Sequence, residues 1–207
     1  MNNLVNLKIS NHIATVALNR PDKKNALSKD MFNAIANVGE NLKHENDVRV
    51  IILTGSGSDF CSGLDTSTFS EWATDFQKVR NDLTSRPAGE NANWFQKPCY
   101  VWQEIEVPVI AAIKGVAFGA GIQLALAADF RITHPDSKFS IMESKWGIIP
   151  DLGITQNLPK LTRADIAKEL IMTGRIFDGN EALRLGLVTK VSKEPLIAAK
   201  EYAELLL

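Results

Sequence analysis

The chain has 207 residues, 45% hydrophobic and 23% charged, an ordinary balance for a water-soluble globular protein able to bury a sizeable core. A formal net charge of −1 and a pI near 6.3 supply no basic footprint for nucleic acid. Two cysteines without a CxxC spacing exclude a disulfide framework, and three scattered histidines have no metal-like spacing. The uncharged stretch from Gly115 to Ala128 is too short and too glycine-punctuated to span a membrane. Residues 1–8 lack the apolar core of a leader, so the cytosol is the expected compartment. Cys61 and Cys99 suit a reducing compartment as small buried hydrophobes.

Along the chain, Val5, Leu7 and Ile9, then Ile13, Thr15 and Ala17, alternate about Ser10-Asn11-His12 and predict a β-hairpin. Arg20 to Asn25 is a loop; its Lys23-Lys24 pair is a solvated face or a meeting point for an anion. Ser28 then caps a helix with the stripe Met31, Ile35, Val38 and Leu42. Val48 to Leu53 is a buried strand. From Thr66 to Glu104 the pattern weakens, with one helix expected around 69–83. Trp72, Phe76, Trp94, Phe95 and Trp102 punctuate this segment, which either covers a site or is a surface excursion anchored by its aromatics. Val109 to Ile113 is the next strand, Gly121 to Ala128 the next helix. Short strands at 130–133 and 138–141 flank His134-Pro135-Asp136. Thr162 to Met172 is helical, Asp178 or Asn180 caps a helix ending at Gly186, and 196–207 begins an amphipathic helix. Alternating strands and helices make the class α/β, with a core domain over 1–192 and a C-terminal helical region starting at 193.

Two segments present backbone. Phe60-Cys61-Ser62-Gly63-Leu64-Asp65 follows one apolar strand, and Gly115-Val116-Ala117-Phe118-Gly119-Ala120-Gly121-Ile122-Gln123 follows another. Each reads as strand, glycine turn, then helix start. Glycine permits close backbone approach, and a helix start leaves N–H groups without internal acceptors. Two such turns facing each other can hold one oxygen between two donors, which is an oxyanion hole.

These motifs occur together with Arg20-Pro21 to Asn25-Ala26-Leu27, Gly147-Ile148-Ile149-Pro150, and Gly174-Arg175 to Gly186-Leu187-Val188. In this order and spacing, over residues 4 to about 192, the chain closely resembles the crotonase (enoyl-CoA hydratase/isomerase) superfamily. The resemblance implies a spiral of repeated ββα units, an acyl-CoA thioester substrate with no separate cofactor, and a homotrimer or dimer of trimers. Family members continue for several dozen residues past the position of Leu207, so it also implies a C-terminal helical part beyond this chain. By position, the Leu64 and Ala120 N–H groups form the oxyanion hole beside Gly63 and Gly119. Lys24 lies near a phosphate of CoA, Ala26 presents backbone to the adenine, and Ser62 and Asp65 line the same groove.

The catalytic carboxylates decide the reaction, and here the chain departs from the hydratases, which place two glutamates around a water. The first such position is Gln123, an amide that is no general base near neutral pH. The second, Glu143, is retained. Asp151 follows Pro150 at a place where the family's dienoyl-CoA isomerases use an aspartate with a glutamate, and its dehalogenases use a nucleophile. Two carboxyls in one apolar site tend to split into an acid and a base. The alternatives are a structural Glu143 paired with Lys145 or Lys138, and an Asp151 that caps a helix. Isomerisation of an enoyl- or dienoyl-CoA through Glu143 and Asp151 is the favoured expectation. Hydration with Gln123 positioning the water comes next, then hydrolysis or dehalogenation through Asp151. A non-catalytic acyl-CoA-binding protein is the remaining class.

Overall fold

The computed structural model describes residues 3–74 and 76–207; residues 1, 2 and 75 lie outside the described residues, as do the side chains of Trp72 and Phe76. The chain opens with the expected hairpin, β1 (Val5–Ser10) and β2 (Ile13–Leu18), in antiparallel register. Asn11 and His12 form its turn with φ of 51° and 63°, the doubly left-handed pair of a two-residue loop. Ser28 caps α1 (Lys29–Leu42) by accepting from the Met31 amide at 3.3 Å, above a buried stripe of Met31, Phe32, Ile35 and Leu42. The strand expected over 48–53 is β3 (Val50–Gly55), buried throughout; Arg49, just before it, donates its amide to His12 O at 2.8 Å.

The 66–104 segment holds more helix than expected. In place of one helix over 69–83 there are α2 (Thr66–Thr74) and α3 (Phe76–Thr84), then the short α4 (Lys97–Tyr100). Trp94 stacks on Phe32 of α1 with ring centroids 5.2 Å apart, and Phe95 meets both rings edge-on. Trp94 and Phe95 therefore anchor this end of the excursion to α1.

Next come β4 (Val109–Ile113), β5 (Val116–Phe118) and α5 (Ala120–Leu126). The expected turn from Gly115 thus contains a strand of its own. After β6 (Phe130–Thr133) and β7 (Lys138–Ser140) the chain runs through α6 (Ile154–Leu161), α7 (Ala164–Thr173), β8 (Phe177–Asp178), α8 (Gly179–Arg184), β9 (Lys190–Val191) and α9 (Pro195–Glu204). Of the two cap candidates for α8, Asp178 is the one used, accepting from the Glu181 amide at 2.8 Å.

The large sheet has the order β1-β2-β3-β4-β6-β9 and is parallel from β2 onward; β5-β7-β8 form a second, small sheet. Single bridges Leu27–Leu64 and Cys61–Ala117 extend the small sheet's edge. Each turn of the spiral therefore lays one strand in the large sheet and the next in the small one, then enters a helix. β3 with Cys61 leads to α2, β4 with β5 to α5, and β6 with β7 to the helices after it. This is the expected ββα repeat. It also explains why 130–133 and 138–140, neighbours in sequence, belong to different sheets. Alternate residues of β3 face two cores: Ile51 and Leu53 point into the main one, while Val50 and Ile52 meet Ala198, Ala199 and Ala203 of α9. Among the described residues, no helix is long and apolar enough to cross a membrane.

Candidate active site

The bridge between Cys61 and Ala117 sets the first glycine turn beside the second. Cys61 N donates to Val116 O at 3.0 Å and Phe118 N to Cys61 O at 3.1 Å. A Cβ on Gly63 would stand 2.8 Å from Phe118 O and 3.7 Å from Ala120 N, so the two turns are in contact. Gly119, with φ 51° and ψ −117°, adopts a backbone conformation open in practice only to glycine. It aims the chain into α5, whose first amide, Ala120 N, has no acceptor within the helix. Among the described residues, neither Leu64 N nor Ala120 N donates to a backbone or side-chain acceptor. Two uncommitted amides sit on adjoining turns.

The residues expected along the nucleotide are placed by one buried side chain that sequence reading passed over. Asn25 is wholly buried; its Nδ2 donates to Ser56 O at 2.9 Å and Asp59 O at 2.8 Å, and its Oδ1 accepts from Arg20 N at 2.8 Å. That clamps the 20–27 loop alongside 61–64, where Ser62 N donates to Lys24 O at 2.9 Å. Lys24 is exposed, and Ser62 is half-buried. Ala26 has both backbone polar atoms engaged inside the loop, its N with Lys23 O at 3.0 Å and its O with Arg20 Nη1 at 3.1 Å.

Asp65 has a structural job. It is buried, accepts from Ser67 N at 2.9 Å and Ser67 Oγ at 2.7 Å, and is ion-paired with Arg20. Those Ser67 bonds, then the Arg20 guanidinium, hold its carboxyl at about 2, against an ordinary 3.8. A depressed carboxylate stabilises the fold above the unfolded value, and loses that contribution as pH falls through the folded one. Asp65→Asn is accordingly expected to cost about 2 kcal/mol at pH 7, at about 1.36 kcal/mol per pH unit. The deficit relative to wild type should shrink toward pH 2. Urea melts of both proteins between pH 2 and 7 check this, and a pH-independent difference would contradict it.

The three carboxylate-region candidates come together. Gln123, on α5 and 1% exposed, donates Nε2 to Glu143 Oε1 at 2.7 Å and accepts at Oε1 from Leu152 N at 3.0 Å. Glu143 opens the 3-10 turn Glu143–Trp146 and is 6% exposed; its other oxygen, Oε2, is buried with no partner. Among the described residues it pairs with neither Lys145 nor Lys138. Burial raises the Glu143 carboxyl above its ordinary range, with the Asp151 charge adding to it against the Gln123 hydrogen bond. Asp151 is half-buried, and desolvation raises it as well. Asp151 is not a helix cap: α6 starts from Gly153, in the left-handed region, with no side-chain cap bond.

Three participants escaped the sequence reading. The Leu152 amide has no sequence signature, since every non-proline residue carries one. Cys99, on α4, is buried, and its thiol is pushed up first by desolvation, then by the charges of Cys61, Asp151 and Glu143, which reach it. Arg20 was visible in its motif but not its pairing with Asp65. A cleft of about 410 Å³ opens elsewhere, between α1 and residues 82–97. None of the candidate residues lines it, and its Lys97 is already paired with Glu40 and Glu90 at 2.7 and 2.5 Å. Among the described residues, no group of three His, Cys, Asp or Glu side chains gathers to hold a metal ion.

Similarity to known proteins identifies the family of this fold. The profile of the enoyl-CoA hydratase/isomerase family matches residues 8–203. The chain is 34% identical to the (E)-benzylidenesuccinyl-CoA hydratase of Thauera aromatica, over 97% of this chain and 75% of the relative. It is 39% identical to the peroxisomal Delta(3,5)-Delta(2,4)-dienoyl-CoA isomerase of Arabidopsis thaliana, over 84% of this chain and 63% of that one, so it spans under two thirds of that relative's length. The crystal structure of the enoyl-CoA hydratase of Bacillus anthracis superposes with a TM-score of 0.83 at 32% identity, covering 98% of this chain and 75% of its own. On the matched profile and these relatives, the chain belongs to the enoyl-CoA hydratase/isomerase family.

Proposed function

We propose that this chain isomerises a double bond in an enoyl- or dienoyl-CoA thioester. The observation that carries this reading is the Glu143 carboxyl, with one oxygen held by Gln123 and the other shielded from water and uncommitted. A base sheltered from water suits moving a proton from one substrate carbon to another better than it suits activating a water. Glu143 takes a proton activated by the thioester, and the negative charge passes to the thioester oxygen. The Leu64 and Ala120 amides receive that oxygen, helped by the partial positive charge at the α5 N-terminus. Returning the proton at a different carbon completes the shift. Asp151 is the second acid/base, raised by its own desolvation and close enough for its charge to raise the Glu143 carboxyl. CoA lies along the 20–27 loop and residues 62–65.

Hydration is the second reading, favoured by the relatives whose names are hydratases. A panel of enoyl-, dienoyl- and 3-hydroxyacyl-CoA esters incubated in D₂O separates the two, followed by ultraviolet absorbance and product mass. The expected result is a shifted double bond with no added water. A product heavier by one water overturns the isomerase reading, and no turnover on any ester overturns the enzyme reading. Asp151→Asn is expected to slow isomerisation by about 10²–10⁴-fold, the usual share of one acid/base group. Unchanged turnover in that variant removes Asp151 from the chemistry.

A further inference from the structure

We propose that Gln123 is the positioning residue of this site: its side-chain amide fixes which oxygen of Glu143 handles the proton and ties that carboxyl to the Asp151–Leu152 turn. The inference deepens the isomerase reading and rests on it.

Gln123 is 1% exposed, and both polar ends of its side chain are committed to protein partners. It acts only through its partners. Their identity dictates how the amide faces. Leu152 N is a backbone donor and nothing else, so it must meet the Gln123 oxygen, and Nε2 must then face Glu143. The carbonyl oxygen of a protonated carboxyl is its better acceptor, so a donor on Glu143 Oε1 favours the proton on Oε2, the oxygen without a partner. Gly119 passes close to Oε1 without a side chain, since a Cβ there would stand 3.3 Å from it. One amide thus leaves one oxygen for chemistry.

The other end of the amide reaches across the site. Leu152 follows Asp151 directly, so its bond to Gln123 holds the turn carrying the second carboxyl at a set distance from the first. Gln123 stands one turn of α5 after Ala120, and its own N donates to Gly119 O at 3.2 Å. The proposed oxyanion donor, the base and the second acid are joined through a single side chain. Gln123 from α5 touches Glu143, the charge of Asp151 from the turn before α6 reaches it, and its own charge reaches the Cys99 thiol on α4. Burial and then the Asp151 charge push the Glu143 proton affinity up, while its own backbone amide and the Gln123 donor hold it down.

The test is the pH profile of isomerisation for two variants. Gln123→Leu removes both hydrogen bonds at similar volume. Expected are a kcat lower by about 10–100-fold, the range of a lost bond to a charged group, a KM within about threefold, and an acid limb of kcat/KM moved to higher pH. Gln123→Glu keeps an acceptor for Leu152 N but opposes two carboxyls across the 2.7 Å contact, where they must share a proton. Expected there is a new alkaline limb, because loss of the shared proton drives Glu143 away; the wild-type amide does not titrate. A folded Gln123→Leu with wild-type kcat and an unmoved acid limb overturns the proposal, as does a change confined to KM. If that variant fails to fold, Gln123→Glu decides, and a profile without the alkaline limb overturns it. Glu143→Gln separates the two ideas. Turnover surviving in that variant sinks the isomerase reading, whereas a dead Glu143→Gln beside a silent Gln123 pair sinks only the positioning role.

Discussion

On the proposed isomerase reading, replacing Glu143 with Gln is expected to lower turnover by about 10²–10⁴-fold while acyl-CoA binding stays within a few-fold of wild type. The two effects separate because the carboxyl has no partner among the described residues other than Gln123, so a near-isosteric amide leaves the surrounding bonds in place. Stability gives an independent check, with the opposite sign to that of Asp65. Glu143 is raised above its ordinary value by burial, so the folded state holds its proton more tightly than the unfolded one. Stability then falls as pH rises from the ordinary carboxylate value toward the raised one. Glu143→Gln escapes that loss and is expected to melt no lower than wild type at pH 7. An inactive but undiminished melting protein identifies a group kept for chemistry at the fold's expense. A variant that melts far lower assigns Glu143 to structure instead, and one that keeps full turnover withdraws it from the mechanism.

The elements legible in the sequence were those whose burial leaves a one-dimensional trace. β3 and β4 are apolar runs because parallel strands buried on both faces admit little else. Ser28 and Asp178 marked helix starts because a side-chain oxygen before an apolar stripe has a local job. β5 was hidden because three residues between Gly115 and Gly119 carry too little alternation to outweigh the glycines. α6 was hidden because Pro159 sits inside it and Gly153, without a side chain, stands at its cap. At the site, residue types were legible and their bonding was not. Gln123 could be read as an amide in a carboxylate's place, but only tertiary placement brings the Leu152 amide to its oxygen and so turns its nitrogen toward Glu143. Asp65 is similar: its place after a glycine turn is legible, whereas the bonds to Ser67 and the pairing with Arg20 that hold its loop come only from tertiary placement.

Gly121→Ala is expected to lower kcat/KM by about 10²–10³-fold, the share of one oxyanion donor, and stability by about 1–3 kcal/mol, the usual cost of overpacking. The added Cβ would lie 2.3 Å from Cys61 O and 2.9 Å from Cys61 Cβ. Neither can give way. Cys61 is fully buried, and its backbone is bonded on both sides, to Val116 O and from Phe118 N. The helix must move instead, and Ala120, its first residue, moves with it away from Leu64. Gln123 rides on the same helix, so Glu143 loses its anchor in the same displacement. The substitution therefore strikes the proposed oxyanion donor and the base together, though it touches neither. Ground-state binding distinguishes this from general damage. An acyl-CoA substrate should bind Gly121→Ala nearly as well as wild type below its melting temperature, while a charged mimic of the thioester enolate should lose most of its affinity, because only the mimic needs both amides at once. Equal losses for the two ligands would place the defect in the CoA groove. Wild-type kcat/KM in a folded variant would show that the contact between the two glycine turns plays no part in the chemistry.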